Sequence, residues 1–145
     1  MRRLVSLFAV GSVCALALAA LSLGAARTTV WTAALSSGQE VPKQVVRDTA
    51  AHGLFKGTLS GHTLKWKLTF AKLTGAAMAA HIHKGAKGVA GPVVVSLCAS
   101  CKNGQTGTAT ITAALLKDFA KHLLYVNVHT AKNPQGEIRG QLARG

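Results

Sequence analysis

Three histidines occupy positions from which they could act together. His81 and His83 form a His-x-His pair in Ala80-His81-Ile82-His83-Lys84-Gly85, and His129 lies in Tyr125-Val126-Asn127-Val128-His129-Thr130. In an extended strand, side chains two residues apart point the same way, so His81 and His83 share one face, as do Asn127 and His129 on another strand. A His-x-His pair supplies two imidazole nitrogens at near-fixed spacing, and a third from a second strand completes a set that suits copper or zinc. The expectation is a metal site of His81, His83 and His129, with an open position for water or a further ligand. The same region also supports a purely structural reading. Asn127, His129, Glu137 and Arg139 would then form a polar network, with Glu137 meeting a cation or backbone donors and Arg139 bridging strands.

Other chemistry finds little support. The chain has no Gly-x-Ser-x-Gly elbow, and its acidic residues are only Glu40, Asp48, Asp118 and Glu137, too few for obvious catalytic pairs. Phosphate-binding loops and dinucleotide fingerprints are absent as well. No catalytic residue is assigned, and no enzyme is predicted. Cys98 and Cys101 stand three apart after a strand-like run, and in an oxidising compartment they are expected to form a local disulfide that pins a loop. A thioredoxin-like redox pair would open a helix instead, and zinc binding would need two further ligands that do not adjoin the pair.

The compartment follows from the N-terminus. Met1-Arg2-Arg3 precedes an apolar stretch over 4–23 and the small residues Gly24-Ala25-Ala26, the pattern of a cleaved signal peptide over 1–26. The rival is an uncleaved N-terminal helix that anchors the protein in a membrane, since about 20 apolar residues can span a bilayer. A lipid anchor at Cys14 is disfavoured because Val13 precedes it where a small residue is needed. The expected location is secreted or periplasmic, with membrane contact only through the leader before cleavage.

Charge bears on partners. Arg2 and Arg3 are among the 17 Lys and Arg residues, so the 119 residues after position 26 carry 15 basic against 4 acidic side chains, net +11. An anionic cell-envelope polymer or a protein partner fits that balance, but the cations are spread along strands and read mainly as solvated faces; no specific nucleic-acid recognition is expected. Lys84 and Lys87 flank the histidine pair in a Gly-rich loop, where an anionic ligand could dock. No further cofactor is expected.

The elements that must position these residues read as strands over 29–35, 53–59, 63–70, 76–83, 93–97, 106–111, 123–129 and 137–142. Leu64, Trp66, Leu68 and Phe70 alternate with polar residues, the mark of a half-buried strand. One helix is expected over 113–122, capped by Thr112 and carrying Leu115, Leu116 and Phe119 at helical spacing. Asn133-Pro134-Gln135-Gly136 has turn chemistry and joins the last two long strands. The fold class is therefore all-β, an antiparallel Greek-key or immunoglobulin-like sandwich of about seven or eight strands with one short helix, in one domain over 27–145.

Three blocks also carry a resemblance: Leu35-Ser36-Ser37-Gly38-Gln39-Glu40-Val41-Pro42; Ala80-His81-Ile82-His83 with Gly91-Pro92-Val93-Val94; and 125–130 continued through Asn133-Pro134-Gln135-Gly136-Glu137-Ile138-Arg139-Gly140-Gln141-Leu142. In these the chain resembles the CHRD, or chordin-like, domain family over essentially all of 27–145. Lys43 stands where the family pattern commonly has a second proline. The resemblance implies an exported β-sandwich domain with no established enzymatic activity, acting as a binding or structural module. A lone copy with a leader does not suit growth-factor antagonism, which goes with multidomain animal proteins. The His-x-His strand also resembles that of copper-zinc superoxide dismutase, but the zinc loop of that enzyme has no counterpart, and His52, His62 and His122 lie in unrelated contexts.

Overall fold

The computed structural model describes residues 27–43 and 50–145. The expected leader over 1–26 lies outside the described residues. In chain order the elements are β1 (Thr28–Ser36), a 3-10 turn (Ser37–Gln39), β2 (His52–Ser60), β3 (Thr63–Ala71), β4 (Ala77–Lys84), β5 (Val93–Ala99) and β6 (Gln105–Thr110). Then come α1 (Ala113–Ala120), β7 (Leu124–Thr130), β8 (Ile138–Gln141) and β9 (Ala143–Arg144). Every expected strand forms within a residue or two of its predicted span. The short β9 and the 3-10 turn were not anticipated.

All strand pairings are antiparallel, and the all-β class with a single helix holds. The strands form one hydrogen-bonded path, β5-β4-β7-β8-β1-β2-β3-β6, with β9 also paired to β1. The path curls into a nearly barrel-shaped layer around one core, and its end strands β5 and β6 approach each other. The Cys98–Cys101 disulfide, with its sulfurs 2.05 Å apart, ties the start of the β5–β6 connection. Cys98 belongs to a strand and Cys101 to a loop, so the helical setting of a redox pair is missing.

Alternation explains the interior. Phe55, Leu64, Leu68, Ile82, Val126, Val128 and Ile138 come from successive strands and are fully buried. Phe55 stacks on Trp66 with ring centres 6.5 Å apart. The helix starts where expected because the Thr112 side chain accepts a hydrogen bond from the Leu115 N–H at 3.2 Å. Its Phe119 closes one end of the core against Trp31, at 5.0 Å between ring centres. Burying each such large side chain contributes about 1.5–3 kcal/mol, which is why the apolar face overrides weak local propensities.

The two parts of the sheet join at β1. Ser36 pairs with Arg139 of β8, while Trp31 and Thr32 pair with Arg144 and Ala143 of β9. Gly140 lies in this seam, and a Cβ there would meet the Ala34 carbonyl oxygen at 2.4 Å and its carbon at 2.8 Å. Those atoms are backbone and cannot rotate away. Gly140→Ala is therefore expected to destabilise the domain by about 2 kcal/mol or more. Gly38→Ala, with nothing within 4 Å of the added methyl, should change stability by under about 0.5 kcal/mol. Chemical denaturation of both variants checks the pair, and equal stabilities would show that the seam is not close-packed.

Candidate functional site

Strand β7 is buried on both sides along most of its length. Leu124, Val126 and Val128 enter the apolar core, so Tyr125, Asn127 and His129 face the other way by strand parity. Register sets their neighbours. His83 pairs with Tyr125 and Tyr125 with Gln141, and His81 pairs with Asn127 and Asn127 with Arg139. A polar face thus runs across β4, β7 and β8, roofed by the loops at 37–43, 85–92 and 131–136.

On the β4 side of this face the three predicted histidines converge. One ring nitrogen from each of His81, His83 and His129 lies within 4.8 Å of the others. The closest approach is His81 Nδ1 to His129 Nε2, at 3.1 Å. Two of the rings are oriented from behind. His83 Nδ1 lies 3.0 Å from the Gly91 carbonyl, and His129 Nδ1 lies 3.1 Å from the Pro134 carbonyl. A carbonyl only accepts, so each Nδ1 must donate, and in the neutral ring the lone pair then sits on Nε2. His83 Nε2 is buried and has no hydrogen-bond partner among the described residues. Of the two carbonyl-oriented rings, His83 thus presents an open Nε2, while the Nε2 of His129 meets His81 Nδ1.

Positioning depends on the loop after β4. Gly91 donates its N–H to the Tyr125 hydroxyl at 3.1 Å while its carbonyl holds His83. Only glycine fits there, since a Cβ would lie 1.8 Å from the Lys84 carbonyl oxygen. The His83 ring stacks on Tyr125, 4.9 Å between centres and 13° from parallel. The Arg139 guanidinium lies 3.5 Å from the Tyr125 ring centre and donates to the carbonyls of Ala86 and Val89. Because β4 and β8 flank β7 on opposite sides, Tyr125 separates the histidine cluster from Arg139.

Burial keeps the cluster uncharged. Desolvation, with repulsion from His81 next, lowers His129 from the ordinary 6.5 to about 4. Desolvation also lowers His81, reinforced by His83, and lowers His83 despite the Gly91 carbonyl. Neutral imidazole is the form that binds metal.

The four residues of the predicted network do not form one unit. Glu137 is fully buried and accepts from the Thr74 backbone N–H, the Thr74 and Thr130 hydroxyls and the Asn133 amide. Its burial alone would raise its pKa, but these hydrogen bonds outweigh desolvation and lower it. No cation pairs with it among the described residues, and its partners are not those of Arg139, whereas simple alternation predicts a shared face. The reason is that Glu137 precedes β8, still within the turn, where strand parity has not begun. Arg139 bridges β8 to the loop above rather than strand to strand. Asn127 instead donates to Glu40 at 3.3 Å, and His129 belongs to the histidine cluster.

Glu40 was missed as a site residue. It is 2 % exposed, and desolvation raises its carboxyl to about 7 against the lowering effects of Asn127, Arg139 and the nearby Val41 N–H. The available signal was its place in the 35–42 block as one of only four acidic residues. Lys84 is not free for a ligand, because it pairs with Asp118 at 3.0 Å. His52 and His62 bond to the carbonyls of Ala50 and Ile111, and exposed His122 stands 5.7 Å from the Trp31 ring, all apart from the cluster.

These shifts set the pH response of the metal-free domain. A histidine whose folded pKa is depressed supports folding fully above its unfolded value of 6.5 and loses that support as pH falls toward about 4. Glu40 works in the opposite sense, weakening the fold as pH rises from 4.5 to about 7. Thermal and chemical unfolding of wild type and His129→Gln at pH 7 and pH 5 isolates the histidine contribution. Wild type should lose more stability on acidification than the variant, by at most about 2 kcal/mol because His129 is partly solvated. Equal acid sensitivity would mean that His129 is not depressed.

Comparison with known families matches the CHRD domain over residues 31–142. Searches against curated proteins and solved structures give no match. The match spans the seam, the histidine cluster and the Glu137 knot, and the chain belongs to the CHRD domain family.

Proposed function

We propose that this domain works outside the cytoplasm as a non-catalytic binding module that holds one copper or zinc ion through His81, His83 and His129. The observation that supports this most is the buried Nε2 of His83, which lacks a partner among the described residues while its Nδ1 is fixed by a carbonyl. A buried polar atom without a partner costs about 1–3 kcal/mol, and a metal ion satisfies it. Nitrogens sharing an ion at about 2.0–2.1 Å stand roughly 3.3 Å apart in tetrahedral geometry. The His81–His129 separation of 3.1 Å is already close to that, so small side-chain rotations complete the set.

The ligand chemistry narrows the choice of ion. Three neutral nitrogens with no thiolate and no carboxylate favour copper or zinc over calcium or magnesium, which require oxygen. Metal binding requires His81 to carry its proton on Nε2 and competes with protonation of all three imidazoles, so affinity falls in acid. Among the described residues no second metal-ligating cluster accompanies this one, as a dismutase-type two-metal centre would need. Export rests on the leader pattern of 1–26, and the disulfide fits an oxidising compartment.

Calorimetric titration of the purified protein with Cu(II) and with Zn(II) tests the reading. One ion per chain is expected, with affinity falling at least about a hundredfold in His81→Ala and in His129→Ala, beyond the usual effect of losing an orienting partner. Absence of saturable binding of either metal to the wild type would end the proposal.

A further inference from the structure

The second half of the polar face, beyond Tyr125, opens into a cavity of about 310 Å³ between the 37–43 loop and the Lys-rich loop. Glu40, Gln141 and Arg139 line its floor, and Lys43, Lys87 and Gln39 its rim. Glu40 Oε1 and Gln141 Oε1 are buried acceptors without hydrogen-bond partners among the described residues. Asn127 Oδ1, directly behind Glu40, is another. Two of the four such atoms found thus belong to residues that line this one cavity, with a third on a residue behind them. A fold-specifying network has no need to leave acceptors unmet, each at a cost of about 1–3 kcal/mol.

With Glu40 ionised, the partner these atoms call for must donate hydrogen bonds. A cation is a poor candidate, because Arg139 stands on the floor and neither Lys43 nor Lys87 has an acidic partner among the described residues. A simple anion such as phosphate satisfies the cations but brings mainly acceptors, with only one or two O–H donors at neutral pH, to an acceptor-rich floor. Hydroxyl groups donate to Glu40 and Gln141, and a carboxylate on the same small molecule meets the lysines and Arg139. The volume is at the lower end of ligand pockets and suits one sugar ring or a little more.

We infer that this cavity is a binding site for a single uronic-acid unit, its hydroxyls on Glu40 and Gln141 and its carboxylate toward Arg139, Lys87 and Lys43. The site is independent of the metal reading, since none of the three histidines lines it. The unit is either a free sugar acid or part of an acidic polysaccharide. The exposed lysines Lys56, Lys65 and Lys67 on the β2–β3 face are the alternative place for a polyanion to adhere, through charge alone.

Calorimetry and heteronuclear NMR on the purified protein, with galacturonate, trigalacturonate, galactose and inorganic phosphate as probes, test the inference. Galacturonate or its trimer should bind saturably at one per chain, with galactose and phosphate at least about tenfold weaker. Binding of the monomer points to a free sugar acid and binding of the trimer alone to a polymer, either outcome supporting the site. Glu40→Leu should weaken binding about tenfold, and Lys87→Glu about threefold or more. Lys87 is exposed to solvent, so Lys87→Glu remains decisive if Glu40→Leu does not fold. No uronate binding, phosphate binding of equal strength, or uronate binding undiminished by Lys87→Glu would overturn it.

Discussion

Strand β7 has no face left for water, and the architecture around it answers that constraint. Its Leu124, Val126 and Val128 face is served by the apolar core at little cost. The Tyr125, Asn127 and His129 face is different, because each of those side chains carries polar atoms that must be met inside the protein. β4 supplies two histidines, β8 supplies Arg139 and Gln141, and three loops fold over the face to supply carbonyls and Glu40. The seam at Gly140 serves the same end, since close approach of β8 to β1 carries the 37–43 loop onto Asn127.

Charge is kept low in this layer by burial rather than by pairing. The three histidines are held neutral, and Glu40 is held near the edge of ionisation. Arg139 is handled by a flat aromatic ring beneath it and two carbonyls beside it, which stabilise the guanidinium without a direct ion pair, with attraction from Glu40 nearby. Glu137 is the exception, an anion kept in the interior by neutral donors. Four hydrogen bonds from Thr74, Thr130 and Asn133 tie the β3–β4 connection to the turn before β8, so that one carboxylate locks two loops. That makes Glu137 a fold determinant.

Strand parity made much of this legible from sequence. The period-two pattern placed eight strands, and the shared parity of His81 with His83 and of Asn127 with His129 allowed the three histidines to converge, which the β4–β7 pairing then brings about. What parity cannot carry is the identity of the roof. Glu40 meets Asn127 across 87 positions, and Thr74 meets Glu137 across 63, through loops with no periodicity to read. Nor does parity extend into turns, which is why Glu137 parts company with Arg139 although only Ile138 lies between them. Lys84 shows a third limit: its residue type suggested a ligand contact, but its orientation toward Asp118 depends on where α1 packs.

The polar residues of this face divide by whether the fold completes their hydrogen bonding. Glu137 and its partners are satisfied within the chain, and Thr130 and Asn133 are buried with it. His83 Nε2, Glu40 Oε1, Asn127 Oδ1 and Gln141 Oε1 are buried yet unmet among the described residues. The two groups lie within a few residues of one another, on the same strands and under the same loops, so local packing quality does not account for the difference. A network evolved only to specify structure gains nothing by retaining open acceptors in a low-dielectric layer, where apolar isosteres are often as stable or more so. The satisfied residues explain why the domain folds, and the unsatisfied ones, on either side of the Tyr125 ring, are those on which the proposed metal site and the proposed cavity ligand rest.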